Sequence, residues 1–221
     1  NILGYETWAD YVLEERMAKS RETVNNFIMQ LLEPSLPFAK KDVADVLAYA
    51  KKNGFEGNEI MPWDFNFWSE RYKEAEYALN TEELKPYFRL ENCIDAVFSL
   101  ANRLYGLEFK QLDNVPVYHE DVMVYEVTDA DGRHMALFYA DFFPRDSKRG
   151  GAWMTGFRDQ SIRNGVEYRP FINIVCNFTK PTADTPSLIT HDEFTTFLHE
   201  FGHALHGILA EGRYPSLTGT G

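Results

Sequence analysis

Cysteine is scarce in this chain: 221 residues contain two, Cys93 and Cys176. Thiols so few and so far apart cannot build a disulfide framework or a thiolate zinc knuckle. No basic-then-apolar leader follows Asn1, and with so few cysteines this favours a cytoplasmic setting; a periplasmic or exported protein is the other reading. Long apolar runs are missing as well. None approaches the roughly 18 residues that would cross a bilayer, so no membrane partner is expected. Positive charge is in deficit, with 22 basic side chains against 34 acidic ones and a net charge of −12. A phosphate backbone needs a basic face, which excludes a general nucleic-acid binder. The chain also has no Gly-x-Ser-x-Gly elbow, no phosphate-cradling Gly-x-x-x-x-Gly-Lys loop and no Rossmann fingerprint.

Apolar residues make up 44% and aromatics 15%, enough for a sizeable core and too many for a disordered chain. The first half has helical periodicity. Trp8 to Met17 and Thr23 to Leu32 carry apolar residues three and four apart, and Pro34 and Pro37 predict the end of the second run. Asp42 to Lys52 forms the next helix, stopped by Asn53-Gly54. Asp64 can cap a helix from Phe65 to about Leu79, and Glu91 to Tyr105 gives another, closed by Gly106. Near Asp113 the period changes from 3.6 to 2. A strand around Val122–Val127, a turn at Asp129–Gly132, a strand from Arg133 to Asp141 and a third from Phe171 to Asn177 are expected. The fold class is therefore mainly α with a small β-sheet, α+β, with a helical region over 1–112 and a sheet-plus-helix region over 113–221.

The chemistry concentrates in the last helix. Thr190 with Glu193 makes a capping box, and the helix then carries His199-Glu200-Phe201-Gly202-His203. Residues i and i+4 lie one above the other, so His199 and His203 present two imidazoles to one point, half of a tetrahedral Zn²⁺ shell. Glu200 is turned roughly 100° from His199, a poor position for a third ligand but a good one for a base acting on water. Apolar residues at 194, 197, 198, 201, 205 and 208 predict a helix buried on nearly all sides, where unpaired imidazoles would be costly.

Other candidates are weaker. His206 reads as a packing histidine or a support for the pair. His119-Glu120-Asp121 reads as a turn, because Met123 stands where a second His would be needed. His191 and His134 read as surface groups, and Cys176, in an apolar strand without an activating base, as a buried structural thiol. Arg145 to Trp153, with Gly150-Gly151, admits two readings: a flexible basic rim able to receive a peptide's terminal carboxylate, or a solvated loop.

His199-Glu200-Phe201-Gly202-His203-Ala204-Leu205-His206 resembles the zinc helix of the thimet oligopeptidase family of metallopeptidases. The similarity extends through Lys148–Met154, Val175–Phe178 and Thr190–Glu193, and downstream through Arg213-Tyr214 and Leu217–Thr220, where it is closer to the peptidyl-dipeptidase branch. It covers roughly residues 115–221 well and the first half loosely. The resemblance implies a zincin-like helix behind a short sheet, one Zn²⁺ held by His199 and His203, and Glu200 as catalytic base. It implies short unfolded peptides as substrates, most simply by release of C-terminal dipeptides. Internal cleavage of short peptides and non-catalytic peptide binding are the competing readings. The family's third ligand, a Glu roughly 25 residues past the second His, would fall beyond Gly221. The 221 residues are thus expected to be a piece of a longer chain, to need the remainder of its catalytic domain, and to be inactive alone.

Overall fold

The computed structural model describes residues 2–78 and 81–220. The chain divides into two compact units, Asn1–Leu79 and Asn80–Gly221.

The first unit is helical. A capping box between Thr7 and Asp10 starts α1 (Trp8–Leu13), which stops short of the predicted Met17. Ser20 accepts from the Thr23 amide and opens α2 (Arg21–Lys52), a single helix that runs through Pro34 and Pro37, where the sequence predicts a stop. The reason is solvent. Each proline removes one amide donor but keeps a helical φ, and residues 25–44 are all exposed, so water can take the carbonyls left over. Ser35 Oγ also donates to Leu31 O at 2.7 Å. Gly54, at φ +94°, turns the chain after α2 as expected. Next comes α3 (Pro62–Tyr77), whose cap is Met61 with Pro62 at the first helical position; Asp64 lies in the first turn rather than at the cap. The predicted helix end at Leu79 lies outside the described residues. Tyr49 against Tyr72 at 5.6 Å joins α2 to α3, and Phe55, in the loop after α2, meets Trp68 of α3 at 5.9 Å.

The second unit begins with the single turn α4 (Thr81–Leu84), followed by α5 (Leu90–Tyr105), which Gly106 closes at φ +69°. Seven strands follow: β1 (Glu108–Gln111), β2 (Met123–Thr128), β3 (His134–Asp141), β4 (Trp153–Arg158), β5 (Ser161–Arg163), β6 (Val166–Tyr168) and β7 (Phe171–Val175). Five of them form one sheet in the order β1-β2-β3-β7-β4, antiparallel except for the β3–β7 pair, while β5 and β6 pair separately. The architecture is α+β. The period change predicted near Asp113 comes late, since β1 already spans 108–111; four mostly exposed residues carry too little alternation to be read. The last helix, α6 (His191–Ile208), packs against β7 and β4.

Strand pleating sorts the sheet into two faces. Phe138, Ala140, Ile172, Ile174 and Cys176 join α5 and α6 in the main core, where Phe98 stacks on Phe109 at 4.1 Å and Phe138 meets Phe201 at 5.7 Å. The opposite face carries Val124 and Tyr139 in a smaller cluster, with Asp141, Asn173 and Val175 in line. No helix among the described residues is long and apolar enough to cross a membrane.

Candidate active site

Three sets of contacts fix α6. At its start, Thr190 accepts from the Glu193 amide at 3.1 Å and Glu193 accepts from the Thr190 amide at 2.7 Å, the reciprocal cap that the sequence predicts. The approach is tied to α5 by Ile189 N–H donating to Phe88 O and Leu90 N–H donating to Ser187 O, both at 2.9 Å. Along its middle, Phe197, Phe201, Ala204 and Ile208 enter the core. At its end, the buried Arg169 guanidinium donates to Ile208 O at 2.7 Å and Ala210 O at 3.2 Å, and also to Met135 O and Glu167. A cation at the helix C-terminus satisfies carbonyls that have no partner within the helix and suits the helix dipole.

The two faces of α6 differ. Phe197, Glu200, Phe201, Ala204, Gly207 and Ile208 are buried, whereas Thr195, Thr196, His199, Gly202, His203 and His206 form an exposed stripe. The sequence predicts burial on nearly all sides; instead the imidazoles face outward, so their desolvation says nothing about purpose. Geometry is the better argument. The Nε2 atoms of His199 and His203 face each other at 3.2 Å, with ring planes at 84°. Two nitrogens each 2.0–2.1 Å from one tetrahedral ion would be separated by about 3.3 Å, so the pair fits two corners of such a shell. Among the described residues no group of three or more His, Cys, Asp or Glu is placed to hold a metal. The His199–His203 pair therefore stands without a third such side chain beside it among the described residues.

Glu200 is 8% exposed and belongs to the buried side of α6, next in sequence to His199. Its carboxylate makes no hydrogen bond or ion pair with the described residues. No buried side-chain polar atom among them is left unsatisfied either, so its oxygens open to solvent.

The remaining candidates fall elsewhere. His206 continues the exposed stripe and lines a cleft of about 500 Å³ with Gly202, Leu205 and Leu209. His119 Nδ1 accepts from the Asp121 amide at 3.2 Å inside a turn. His191 packs edge-on to Phe88, and His134 lies 3.2 Å from Glu126. Cys176 is fully buried, and burial pushes its thiol up to about 12, so it stays protonated and is no nucleophile. The basic stretch from Arg145 to Trp153 is held in place by hydrogen bonds rather than left as a floppy rim. Arg145 and Lys148 clamp Asp141 on the sheet face turned away from α6, and Trp153 starts β4. Sequence reasoning misses Arg169, because a lone arginine before a proline carries no pattern.

The chain matches Peptidase family M3 over residues 1–221. Dipeptidyl carboxypeptidase of Escherichia coli (strain K12) is 40% identical over 99% of this chain and 32% of its own length. Oligopeptidase A of the same organism is 36% identical over 94% of this chain and 31% of its own length. Organellar oligopeptidase A, chloroplastic/mitochondrial, of Arabidopsis thaliana is 40% identical over 95% and 27% respectively. The chain thus spans about a third of the length of the curated relatives it matches. Because the family match takes in the helical first half as well as the His-Glu-x-x-His helix, the chain belongs to peptidase family M3.

Proposed function

We propose that this chain supplies the metal-binding helix and its supporting sheet to a zinc metallopeptidase that releases dipeptides from the C-termini of short unfolded peptides. The observation that carries the reading is the 3.2 Å approach of the His199 and His203 Nε2 atoms one turn apart on a helix anchored at both ends. His199 and His203 would hold the ion; when bound, zinc supplies Lewis acidity toward water and the peptide carbonyl. Glu200 takes the proton of the attacking water and returns it to the leaving amine, which its solvent-facing carboxylate, without a partner among the described residues, supports. The exposed stripe lets a peptide reach the pair. Lengths of the relatives support a longer parent chain, with residues 113–221 inside its catalytic domain and a third ligand from outside the 221 residues. Two imidazoles alone are an incomplete shell, so residues 1–221 by themselves bind zinc weakly and do not turn over peptides. The free, buried thiols of Cys93 and Cys176 support a cytoplasmic setting.

The identity to dipeptidyl carboxypeptidase favours exopeptidase action, and that to oligopeptidase A favours internal cuts. Peptides with a free or an amidated C-terminus separate the two. Amidation sharply reduces cleavage by the full-length enzyme if dipeptides are released; undiminished cleavage of the amide, at internal bonds, rejects that specificity. Glu200→Gln tests catalysis against mere peptide binding: zinc stays bound and turnover disappears, while retained turnover removes Glu200 from its role.

A further inference from the structure

On the sheet face turned away from α6, a cleft of about 440 Å³ opens between the end of β3, the loop after it, and strands β7 and β4. Its floor is built from buried polar groups. Asp141 is 1% exposed and receives both Nη atoms of Arg145 at 2.9 Å, Lys148 Nζ at 2.9 Å and the Tyr118 hydroxyl at 2.9 Å. Tyr118 in turn accepts from the buried Asn173 amide at 3.2 Å. Lys148 spends its other donors on Asp141 O and Phe143 O. The rim is fixed too: Asn177 Nδ2 donates to Arg149 O at 3.0 Å and Gly151 O at 2.8 Å, with Gly151 at φ +95°. Arg149 lies over the Trp153 ring at 4.9 Å and has no ion-pair partner among the described residues.

The charges do not balance. Arg145, Lys148 and Arg149 line the cleft with one carboxylate, Asp141, so it carries an excess of positive charge in a chain whose net charge is −12. Asp141 is fully engaged and cannot neutralise more. Two forks keep free N–H groups: Arg145, which gives only its Nη atoms to Asp141, and Arg149. Trp153, Phe157 and Tyr118 supply apolar walls beside them. Planar donors next to aromatic surface suit a carboxylate attached to an apolar group.

We propose that this cleft is a second binding site, taking the C-terminal residue of a peptide by its carboxylate and apolar side chain, with the sheet lying between it and the His pair. It stands apart from the zinc reading, since no residue of α6 takes part. The test is calorimetric titration of the full-length enzyme with N-acetyl-L-phenylalanine, its amide and inorganic phosphate. The free acid binds saturably at one site outside the catalytic one, and the amide and phosphate bind at least about tenfold more weakly. Arg149→Gln weakens the acid about tenfold or more, and Arg149→Glu abolishes its binding, while zinc content and turnover of a standard peptide stay at the wild-type level. Arg149 is exposed, so neither variant threatens folding. Equal binding of the amide or of phosphate, binding undiminished in Arg149→Glu, or no binding at all overturns the assignment.

Discussion

Gly207 of α6 lies against Ile172 of β7 so closely that a Cβ at Gly207 would meet Ile172 Cδ1 at 2.6 Å and Cγ1 at 3.3 Å. The helix that carries the imidazoles therefore rests directly on the sheet, and the missing side chain sets the spacing. Ile172 is itself buried and cannot swing aside freely. Gly207→Val is expected to destabilise the protein by about 2–4 kcal/mol through overpacking, despite relief of glycine's helix penalty. Urea unfolding checks this; a shift under about 0.5 kcal/mol would mean that the helix can lift without cost.

Arg169 anchors the other side of the same contact. Replacing it by Met strips donors from Ile208 O, Ala210 O and Met135 O at once and leaves buried carbonyls unpaired. We expect a loss of about 3–5 kcal/mol, with Arg169→Lys recovering part of the charge but not the fork. Thermal unfolding of both variants measures it.

Asp141 gives the acid sensitivity. Burial raises its carboxyl, but hydrogen bonds from Arg145, Lys148 and Tyr118 outweigh that, and the net shift is downward. A carboxyl lowered in the folded state stabilises it above the ordinary carboxylate value, and this stability is lost as pH falls through the folded value. Stability therefore drops below about pH 4 in the wild type. In Asp141→Asn that part of the acid-dependent loss disappears. The substitution itself costs about 3–5 kcal/mol at neutral pH, because it leaves the buried Lys148 ammonium uncompensated. Unfolding free energies measured across pH 3–7 follow both effects.

The cysteines should be silent. Burial raises Cys93 to about 11 and Cys176 to about 12, and both thiols are enclosed. Iodoacetamide is expected to modify them only after denaturation, as read by peptide mass spectrometry. Labelling of Cys176 in the native protein would show that the core beneath α6 opens readily.

Local signals in the sequence carry far in the second unit and less far in the first. The Thr190–Glu193 cap, the four-residue interval between His199 and His203, and the Gly106 stop are each encoded within a few residues, so all are readable before folding. Pro34 and Pro37 mislead because their cost depends on whether water reaches the orphaned carbonyls, a property of the surroundings rather than of the proline. The apolar residues of α6 suggest all-round burial, yet Phe197, Phe201 and Ala204 fill one face while the His stripe stays open; composition does not separate the two. Arg169, Gly207 and the Asp141 clamp depend on partners up to 41 residues away, and no local pattern announces them.

The most direct test of the zinc assignment is an anomalous difference map of the full-length enzyme at the zinc edge. The account predicts one strong peak about 2.0–2.1 Å from both His199 Nε2 and His203 Nε2, with Glu200 unligated. A fully active enzyme with no peak between those rings, or with the rings turned apart, would contradict it.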